Sequence, residues 1–266
     1  MKPVVDANLE TYVVTGAARG IGRAIALQLV EAKAVVFAVD MLADELELLA
    51  REANFMRTDS FVPVYGDVRD DVTLQRCLEL IAMRFRTVDG LVNNAGGGFV
   101  AGFDALSPNA QATLIAENFT HVANWSRGVG AILSTDSSIV NITSIEGHRA
   151  GPGFAVYSAM KAGVESLTKS LALEYAPRQI RVNAIAPDMI PTPGDLALTT
   201  DAQALDPAYF PTPLGRTGDV AEVATAALFL LSDWSSFMTG TTLHLDGGNF
   251  AASGWKRRRS DDSWAL

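Results

Sequence analysis

Short apolar runs alternate with longer segments of helical hydrophobic spacing along most of the chain. The runs are rich in Val, Ile and Phe and carry little polar interruption, which is typical of strands buried on both faces of a sheet. They cover residues 11–15, 34–39, 61–65, 88–92, 138–143, 180–185 and 241–245. The helical segments between them cover residues 23–30, 41–57, 70–86, 107–133, 155–176 and 219–231. This alternation predicts an α/β fold with a doubly wound parallel sheet of about seven strands and helices on both faces.

The chain of 266 residues shows no internal repeat and no linker-like stretch before Pro187, so residues 1–266 are predicted to form a single domain. Residues 192–215 are irregular and rich in Pro, Thr, Asp and Ala, which predicts a lid over a substrate. Four apolar side chains in the lid favour a partly apolar substrate: Leu198, Leu205, Tyr209 and Phe210. Residues 251–266 are predicted to form a short tail, and the basic run at 256–259 is expected to be solvated.

Composition excludes several classes of function. The net charge of −9 argues against general binding of nucleic acid, which needs a basic face. Cys77 is the only cysteine, so neither an intrachain disulfide nor a cysteine-based zinc site is expected. The three histidines, His121, His148 and His244, have no spacing that suggests a metal site. The chain has no apolar run of membrane-spanning length and no leader-like start, so a cytoplasmic protein without a membrane partner is expected.

A glycine-rich turn, Gly16-Ala-Ala-Arg-Gly-Ile-Gly22, joins the first strand to the first helix. Glycines permit a tight turn and close backbone approach, while free N–H groups at a helix start favour a pyrophosphate. A glycine-rich turn that binds nothing is the alternative. Asp40 ends the second strand, 20 residues after Gly20, where a carboxylate can accept hydrogen bonds from an adenosine ribose. It favours NAD over NADP, although Arg19 in the turn could instead receive a 2′-phosphate.

Tyr157 and Lys161 lie four residues apart at the start of a predicted helix, so their side chains share a face. A neighbouring ammonium favours the phenolate and lowers a tyrosine pKa towards a range useful for acid–base chemistry. An ordinary pair on a helix surface is the alternative. Ser144 follows the apolar run 138–143 and therefore lies at the carboxyl edge of the predicted sheet, where such sheets bind ligands.

Five motifs in order, from about residue 11 to residue 248, resemble those of the short-chain dehydrogenase/reductase family. They are the TGxxxGxG turn at 15–22, the NNAG element at 93–96, a helix asparagine at Asn118, Ser144 thirteen residues before the tyrosine, and YxxxK at 157–161. The resemblance implies a Rossmann fold that binds a nicotinamide dinucleotide, and a homotetramer or homodimer.

The resemblance also implies roles for individual residues. Tyr157 would exchange a proton with the substrate oxygen, Ser144 would hold that oxygen, and Lys161 would lower the tyrosine pKa and bind the nicotinamide ribose. Asn118 would anchor a water that continues a proton relay; an asparagine bonded only to nearby backbone is the alternative. Asp67 and Val68 would contact adenine, and Asn93, Ala95 and Gly96 would line the cofactor's path. The full cofactor set is Gly16, Arg19, Gly20, Ile21, Gly22, Asp40, Asp67, Val68, Asn94, Ala95, Gly96, Tyr157, Lys161, Pro187, Ile190 and Thr192.

Two positions depart from the family pattern. Asp188 stands after Pro187 where glycine is usual, which brings a negative charge towards the nicotinamide. Ile190 and Thr192 still match the positions that would bind the carboxamide. Lys33 replaces the glycine that commonly closes the first helix, which should affect stability and not chemistry.

The expected function is that of an NAD-dependent oxidoreductase acting on a secondary alcohol or ketone. One alternative is a reductase of 3-oxoacyl thioesters that uses NADPH. Another is a dinucleotide-binding sensor or scaffold without catalysis, against which Ser144, Tyr157 and Lys161 argue. Glu146 and His148, which follow the serine, are expected to be solvated loop residues.

Overall fold

A seven-stranded parallel sheet organises the molecule. The computed structural model describes residue 7 and residues 10–194 and 206–266. The strands pair in the order β3-β2-β1-β4-β5-β6-β7, and every pairing is parallel. Their bounds are β1 Thr11–Thr15, β2 Val35–Asp40, β3 Phe61–Tyr65, β4 Val88–Asn93, β5 Leu133–Ile142, β6 Arg181–Pro187 and β7 Thr242–Leu245. The predicted fold class is confirmed.

Eight α-helices of the described residues connect or follow these strands. They are α1 Gly20–Glu31, α2 Ala43–Met56, α3 Asp71–Ala82, α4 Pro108–Ile115, α5 His121–Gly130, α6 Ala155–Tyr175, α7 Val220–Leu231 and α8 Asn249–Ala252. Single 3₁₀ turns cover Phe103–Ala105, Ile145–Gly147, Ala176–Arg178 and Asp233–Ser235. No helix in these ranges is long and apolar enough to cross a membrane.

Adjacent residues of each central strand point to opposite faces of the sheet and pack in two different hydrophobic clusters. Val14 packs in a cluster with α1 and α7, whereas Val13 packs in a second cluster with Trp125 of α5. Side chains of a strand alternate between its two faces, so an uninterrupted apolar strand requires a covering layer on each side. The apolar runs of the sequence therefore reflect burial on both faces.

The predicted helix at 107–133 is confirmed as a continuous run of helical residues, but it contains a π-helical segment and ends at Gly130. Ser107 does cap its start, because its Oγ accepts the N–H of Ala110 at 3.2 Å. A π-helical segment, Ala116–Thr120, then separates α4 from α5, and Leu133 already belongs to β5. Such widened turns occur frequently at functional sites, and this one contains Asn118.

The C-terminal tail forms a hairpin in which Lys256, Arg258 and Arg259 are exposed, as expected of a solvated basic run, and Arg257 is half-buried. Strands β8 (Lys256–Arg257) and β9 (Trp264–Ala265) form an antiparallel hairpin. The N–H of Phe210 donates to the carbonyl of Arg257 at 2.9 Å, and the N–H of Arg259 donates to Ala208 at 2.9 Å. The hairpin is therefore hydrogen-bonded to the described end of the predicted lid.

Lys33 adopts a backbone φ of +74°, in the left-handed region that glycine occupies at low cost. A lysine there costs about 1 kcal/mol of conformational free energy. The departure from glycine thus acts on stability through the backbone.

Candidate active site

The glycine turn forms a cradle made of backbone. Gly16 and Gly20 have φ angles of +63° and +58°. A Cβ added to Gly22 would lie 2.1 Å from the carbonyl oxygen of Gly16, so no larger residue fits there. Helix α1 begins at Gly20 without a side-chain cap and without an acidic residue in its first turn. These features fit a dinucleotide pyrophosphate, which needs close approach and unopposed N–H groups.

Asn94 ties the end of β4 to this cradle. Its Nδ2 donates to the carbonyl oxygens of Thr15 and Gly16, each at 3.0 Å. The Oγ1 of Thr15 accepts the N–H groups of Asn94 at 3.0 Å and Ala95 at 3.2 Å. β1 and β4 are neighbours on either side of the point where strand order reverses, which is where doubly wound sheets bind dinucleotides.

Asn93 does not line the cofactor's path as expected. It is fully buried, and its Nδ2 donates to Asn141 Oδ1 at 2.8 Å and to Ser126 Oγ at 3.0 Å. Side chains alternate along β4, so Asn93 points into the core while Asn94 reaches the cradle. Its role is to join β4 to β5 and α5.

Two carboxylates stand at the adenosine end of the cradle. Asp40 is only 8 % exposed, and its carboxylate accepts the N–H of Ala18 at 2.9 Å and of Leu42 at 3.0 Å. Arg19 extends away from the turn, and its Nη1 lies 3.9 Å from Glu45 Oε1 in the first turn of α2.

Asp67 and Val68 follow β3 at the same edge of the sheet. Arg69 donates its Nε–H to Asp67 Oδ1 at 2.9 Å, and this bonding lowers the pKa of the Asp67 carboxyl. The carbonyl of Val68 accepts the indole N–H of Trp125 at 2.9 Å, which anchors this loop to α5. The Asp67 carboxylate is ionised and retains acceptor capacity for an adenine amine.

Lys161 is buried beneath the tyrosine. Its Nζ lies 5.5 Å from the centroid of the Tyr157 ring and donates to the carbonyl of Ile142 at 3.0 Å. Burial lowers the pKa of Lys161 to about 8, which leaves the ammonium mostly charged near neutral pH. Tyr157 and Lys161 lie on one side of α6, as their spacing predicts, and this side points into the protein.

Asn118 and Lys161 approach each other across Gly96. A Cβ added to Gly96 would lie 3.0 Å from Asn118 Oδ1 and 3.3 Å from Lys161 Nζ. The Asn118 amide donates to the carbonyls of Gly97 at 2.8 Å and Leu114 at 3.0 Å. Both the bonding to nearby backbone and the approach to the lysine therefore occur together.

Ser144 lies two residues beyond β5 and caps the short turn at Ile145–Gly147. Its Oγ accepts the N–H of Glu146 at 3.2 Å. Because an accepted bond leaves the hydroxyl proton available, Ser144 can still donate to a substrate oxygen. The loop from β5 into α6 holds this serine at the carboxyl edge of the sheet.

The charge of Asp188 is neutralised by a contact that the sequence did not reveal. Its Oδ2 accepts from Arg149 Nη2 at 3.2 Å and from Asn249 Nδ2 at 2.9 Å. Glu146 also binds this guanidinium, with Arg149 Nη2 2.7 Å from Glu146 Oε1. Arg149 and Asp188 lie in loops and Asn249 begins α8, all distant from one another in sequence, so no local pattern could identify the group.

The side chains of Thr192 and Ile190, which follow β6, point in different directions. A Cβ added to Gly20 would lie 3.3 Å from the Cβ of Thr192, so the threonine faces the glycine turn. Ile190 is 8 % exposed, and its Cδ1 would lie 2.3 Å from a Cβ added to Gly218. Its side chain belongs to the core, and only its backbone is available to a ligand. Pro187 ends β6 just before them.

His148 and Glu146 are partly buried and bonded, so the expectation of solvated loop residues is wrong. His148 Nε2 lies 2.6 Å from Glu165 Oε1 and 3.1 Å from His244 Nε2. The two imidazoles meet edge to face with centroids 4.4 Å apart. No group of three His, Cys, Asp or Glu side chains is arranged to hold a metal ion in the part of the chain that the structure describes.

His121 is a buried polar residue that the sequence analysis assigned no place. It lies three residues after Asn118, is 1 % exposed, and neither ring nitrogen has a hydrogen-bond partner within the described ranges. Burial, followed by the charge of Lys161, lowers its pKa to about 4. His121 is therefore a neutral imidazole in the wall beneath the site.

Comparison with known proteins decides the family. A family model described as enoyl-(acyl carrier protein) reductase matches residues 16–249. The chain belongs to the short-chain dehydrogenase/reductase family. It is thus an oxidoreductase of the class that binds a nicotinamide cofactor and a small-molecule substrate.

Its relatives include reductases and dehydrogenases. The chain is 37 % identical over 239 residues to a 3-oxoacyl-[acyl-carrier-protein] reductase of Thermotoga maritima, covering 88 % of this chain and 95 % of the relative. It is 35 % identical over 247 residues to a trans-4-hydroxycyclohexanecarboxylate dehydrogenase of Sinomonas cyclohexanicum, covering 90 % and 92 %. The structure of a 3-oxoacyl-[acyl-carrier protein] reductase with bound NAD from Brucella melitensis superposes with a TM-score of 0.81 at 33 % identity, covering 92 % of both chains.

Proposed function

We propose that the chain is an NAD-dependent oxidoreductase that interconverts a secondary alcohol and its ketone. The observation that carries this proposal is the buried Lys161 ammonium, 5.5 Å from the centre of the Tyr157 ring and next to Asn118 across Gly96. A charged group without water around it polarises its neighbours strongly. It stabilises a phenolate that must form and disappear in each turnover.

The bound nicotinamide dinucleotide supplies or accepts the hydride at the substrate carbon. Tyr157 gives its phenolic proton to the carbonyl oxygen during reduction and takes it back during oxidation. Ser144 donates its hydroxyl proton in a hydrogen bond to the same oxygen and fixes its position. Lys161 remains charged and favours the phenolate, and Asn118, beside it across Gly96, would anchor a water that continues the proton relay.

The preference for NAD rests on Asp40 and Glu45. Asp40 can accept from a ribose hydroxyl, since two backbone N–H bonds leave its oxygens further lone pairs. Arg19, the cation that could attract a 2′-phosphate, is directed towards Glu45. The relatives that are 3-oxoacyl reductases support the alternative, reduction of an acyl thioester with NADPH.

Titration with NADH and NADPH under identical conditions tests the cofactor. We expect NADH to bind at least about tenfold more tightly, equivalent to about 1.4 kcal/mol. Asp40→Ser should reduce this ratio, and Asp104→Asn, an exposed carboxylate elsewhere, should leave it unchanged. Equal or tighter binding of NADPH by the parent would favour the acyl-thioester alternative, and binding of neither would reject the oxidoreductase.

The remaining expectations are part of the same proposal. A single domain, a lid over the substrate at 192–215, assembly as a homotetramer or homodimer, and a cytoplasmic location stay predictions. Of the lid, residues 195–205 lie outside the described residues, and with them Leu198 and Leu205. Tyr209 and Phe210 are described, and both are partly buried.

A further inference from the structure

A cavity of about 210 Å³ lies between the C-terminal hairpin and the described end of the lid. Water occupies about 30 Å³ per molecule in the liquid, so the space could hold about seven waters or a short acyl chain. Aromatic rings form part of its lining, from Tyr209, Phe210 and Trp255. These walls suit an apolar group.

The cavity adjoins the nicotinamide end of the site through two of its lining residues. Arg149 and Asn249 both line it, and both donate to the carboxylate of Asp188. Asp188 directly follows Pro187 at the end of β6, and Arg149 lies five residues after Ser144. A ligand that fills the cavity would therefore contact the same residues that hold the loop beside the reaction centre.

The charges that line the cavity are predominantly positive. They are Arg149, Lys256 and Arg257, opposed by Asp206 alone among the described lining residues. The Asp206 carboxylate accepts the N–H of Ala208 at 2.9 Å. Its charge is thus partly compensated within its own turn.

Lys256 differs from the two arginines. Arg149 is paired with Glu146 and Asp188, and Arg257 is paired with Asp262 at 2.8 Å. Lys256 Nζ lies 5.5 Å from the centre of the Tyr209 ring, and no carboxylate oxygen is within 4.0 Å of it in the described part of the chain. The hairpin thus presents, at the rim of an aromatic cavity, an ammonium without a carboxylate partner among the residues that the structure describes.

We infer that this cavity binds the anionic end of the substrate, a carboxylate or phosphate joined by an apolar segment to the carbon that reacts. The inference rests on the proposed function and names the substrate class of that same site. The aromatic walls contact the apolar segment, and Lys256 pairs with the anion. Lys256, the first residue of the basic run at 256–259, thereby acquires a binding role.

Calorimetric titration without cofactor tests the cavity independently of turnover. The probes are octanoate, octanamide and octyl phosphate, which share a chain and differ in charge. We expect either anion to bind at least about tenfold more tightly than the amide, and the tighter of the two identifies the anion as carboxylate or phosphate. Lys256→Met should reduce the ratio about fivefold, the upper end for an ion pair made by an exposed lysine. Equal affinities for acid and amide would overturn the inference.

Arg51→Met is the matched control, because Arg51 is an exposed cation on α2 whose side chain is 73 % accessible. Arg51→Met should leave the ratio of anion to amide affinity unchanged. If both variants lowered this ratio equally, the effect would come from the net charge of the protein and the proposed cavity site would be rejected.

Measurements of turnover distinguish this inference from the proposed function. If neutral secondary alcohols react as fast as their carboxylate analogues, the function stands and the inference fails. If no alcohol reacts while octanoate binds with the expected Lys256 dependence, the function fails and the cavity stands.

Discussion

The cofactor cradle is formed mainly by backbone, whereas the substrate end of this site is formed mainly by side chains. The cradle is shaped by backbone: Gly16 and Gly22 leave no room for side chains, and Asn94 binds the carbonyl of Gly16. The substrate end is held by side chains from separate loops, represented by Arg149 and Asp188. A backbone cradle is encoded in one continuous motif, whereas a side-chain network depends on how distant segments meet. The two regions should therefore respond differently to substitution.

Tyr157→Phe removes one oxygen from the substrate end and should have the largest effect. We expect turnover to fall by about 10³-fold, since a positioned acid–base group contributes 10²–10⁴. Binding of NADH should change little, because the cradle is untouched. Steady-state kinetics together with a cofactor titration measure both quantities, and a variant with parental turnover would refute the assignment.

Gly22→Ala tests the close backbone packing of the cradle. The added methyl would lie 2.1 Å from the Gly16 oxygen, so the turn must shift. We expect a loss of about 3 kcal/mol in the free energy of unfolding, the upper end for overpacking, together with weakened cofactor binding. Gly102→Ala is the control, because a Cβ there meets nothing within 4 Å. Urea unfolding measures both variants, and equal stabilities would contradict the close fit.

His121→Phe tests the buried wall between the two regions through pH. The pKa of His121 is lowered to about 4, so the unfolded chain binds more protons between pH 6.5 and 4. Stability from this group is therefore complete above pH 6.5 and is lost as the pH falls. Between pH 8 and 4.5 the parent should lose about 2 kcal/mol more than the variant. The free energy of unfolding is measured in urea at each pH. If His121 were charged in the folded state, this free energy would change equally with pH in the parent and in the variant.

Asp188→Asn should have the smallest effect. The substitution keeps the shape of the side chain but removes the charge that pairs with the partly exposed Arg149. We expect a loss of up to about 1 kcal/mol in stability, and a change of a few-fold in the substrate KM that exceeds any change in kcat. Asp104→Asn is a suitable control on an exposed turn. An unchanged KM would mean that Asp188 does not position the loop.

The sequence alone was sufficient for the sheet and for the cradle. All seven predicted strands lie within a few residues of β1–β7, because residues buried on both faces of a sheet must be continuously apolar. The glycine turn, Asp40 and the Tyr157–Lys161 pair are likewise local, since their geometry follows from positions close together in the chain. These features could be deduced from spacing.

Only the tertiary structure decided what each side chain contacts. Asn93 and Asn94 are adjacent, yet the alternation of β4 buries the first in the core and directs the second to the cradle. Asp188 adds a negative charge after Pro187, but Arg149, 39 residues away, neutralises it, and Asn249, 61 residues away, donates a hydrogen bond to the same oxygen. The basic run is exposed at Lys256, Arg258 and Arg259, as predicted, but only the fold shows that it lies in a hairpin against residues 208–210. Local spacing determines which residues share a face, and chain folding over long separations determines which of those faces meet.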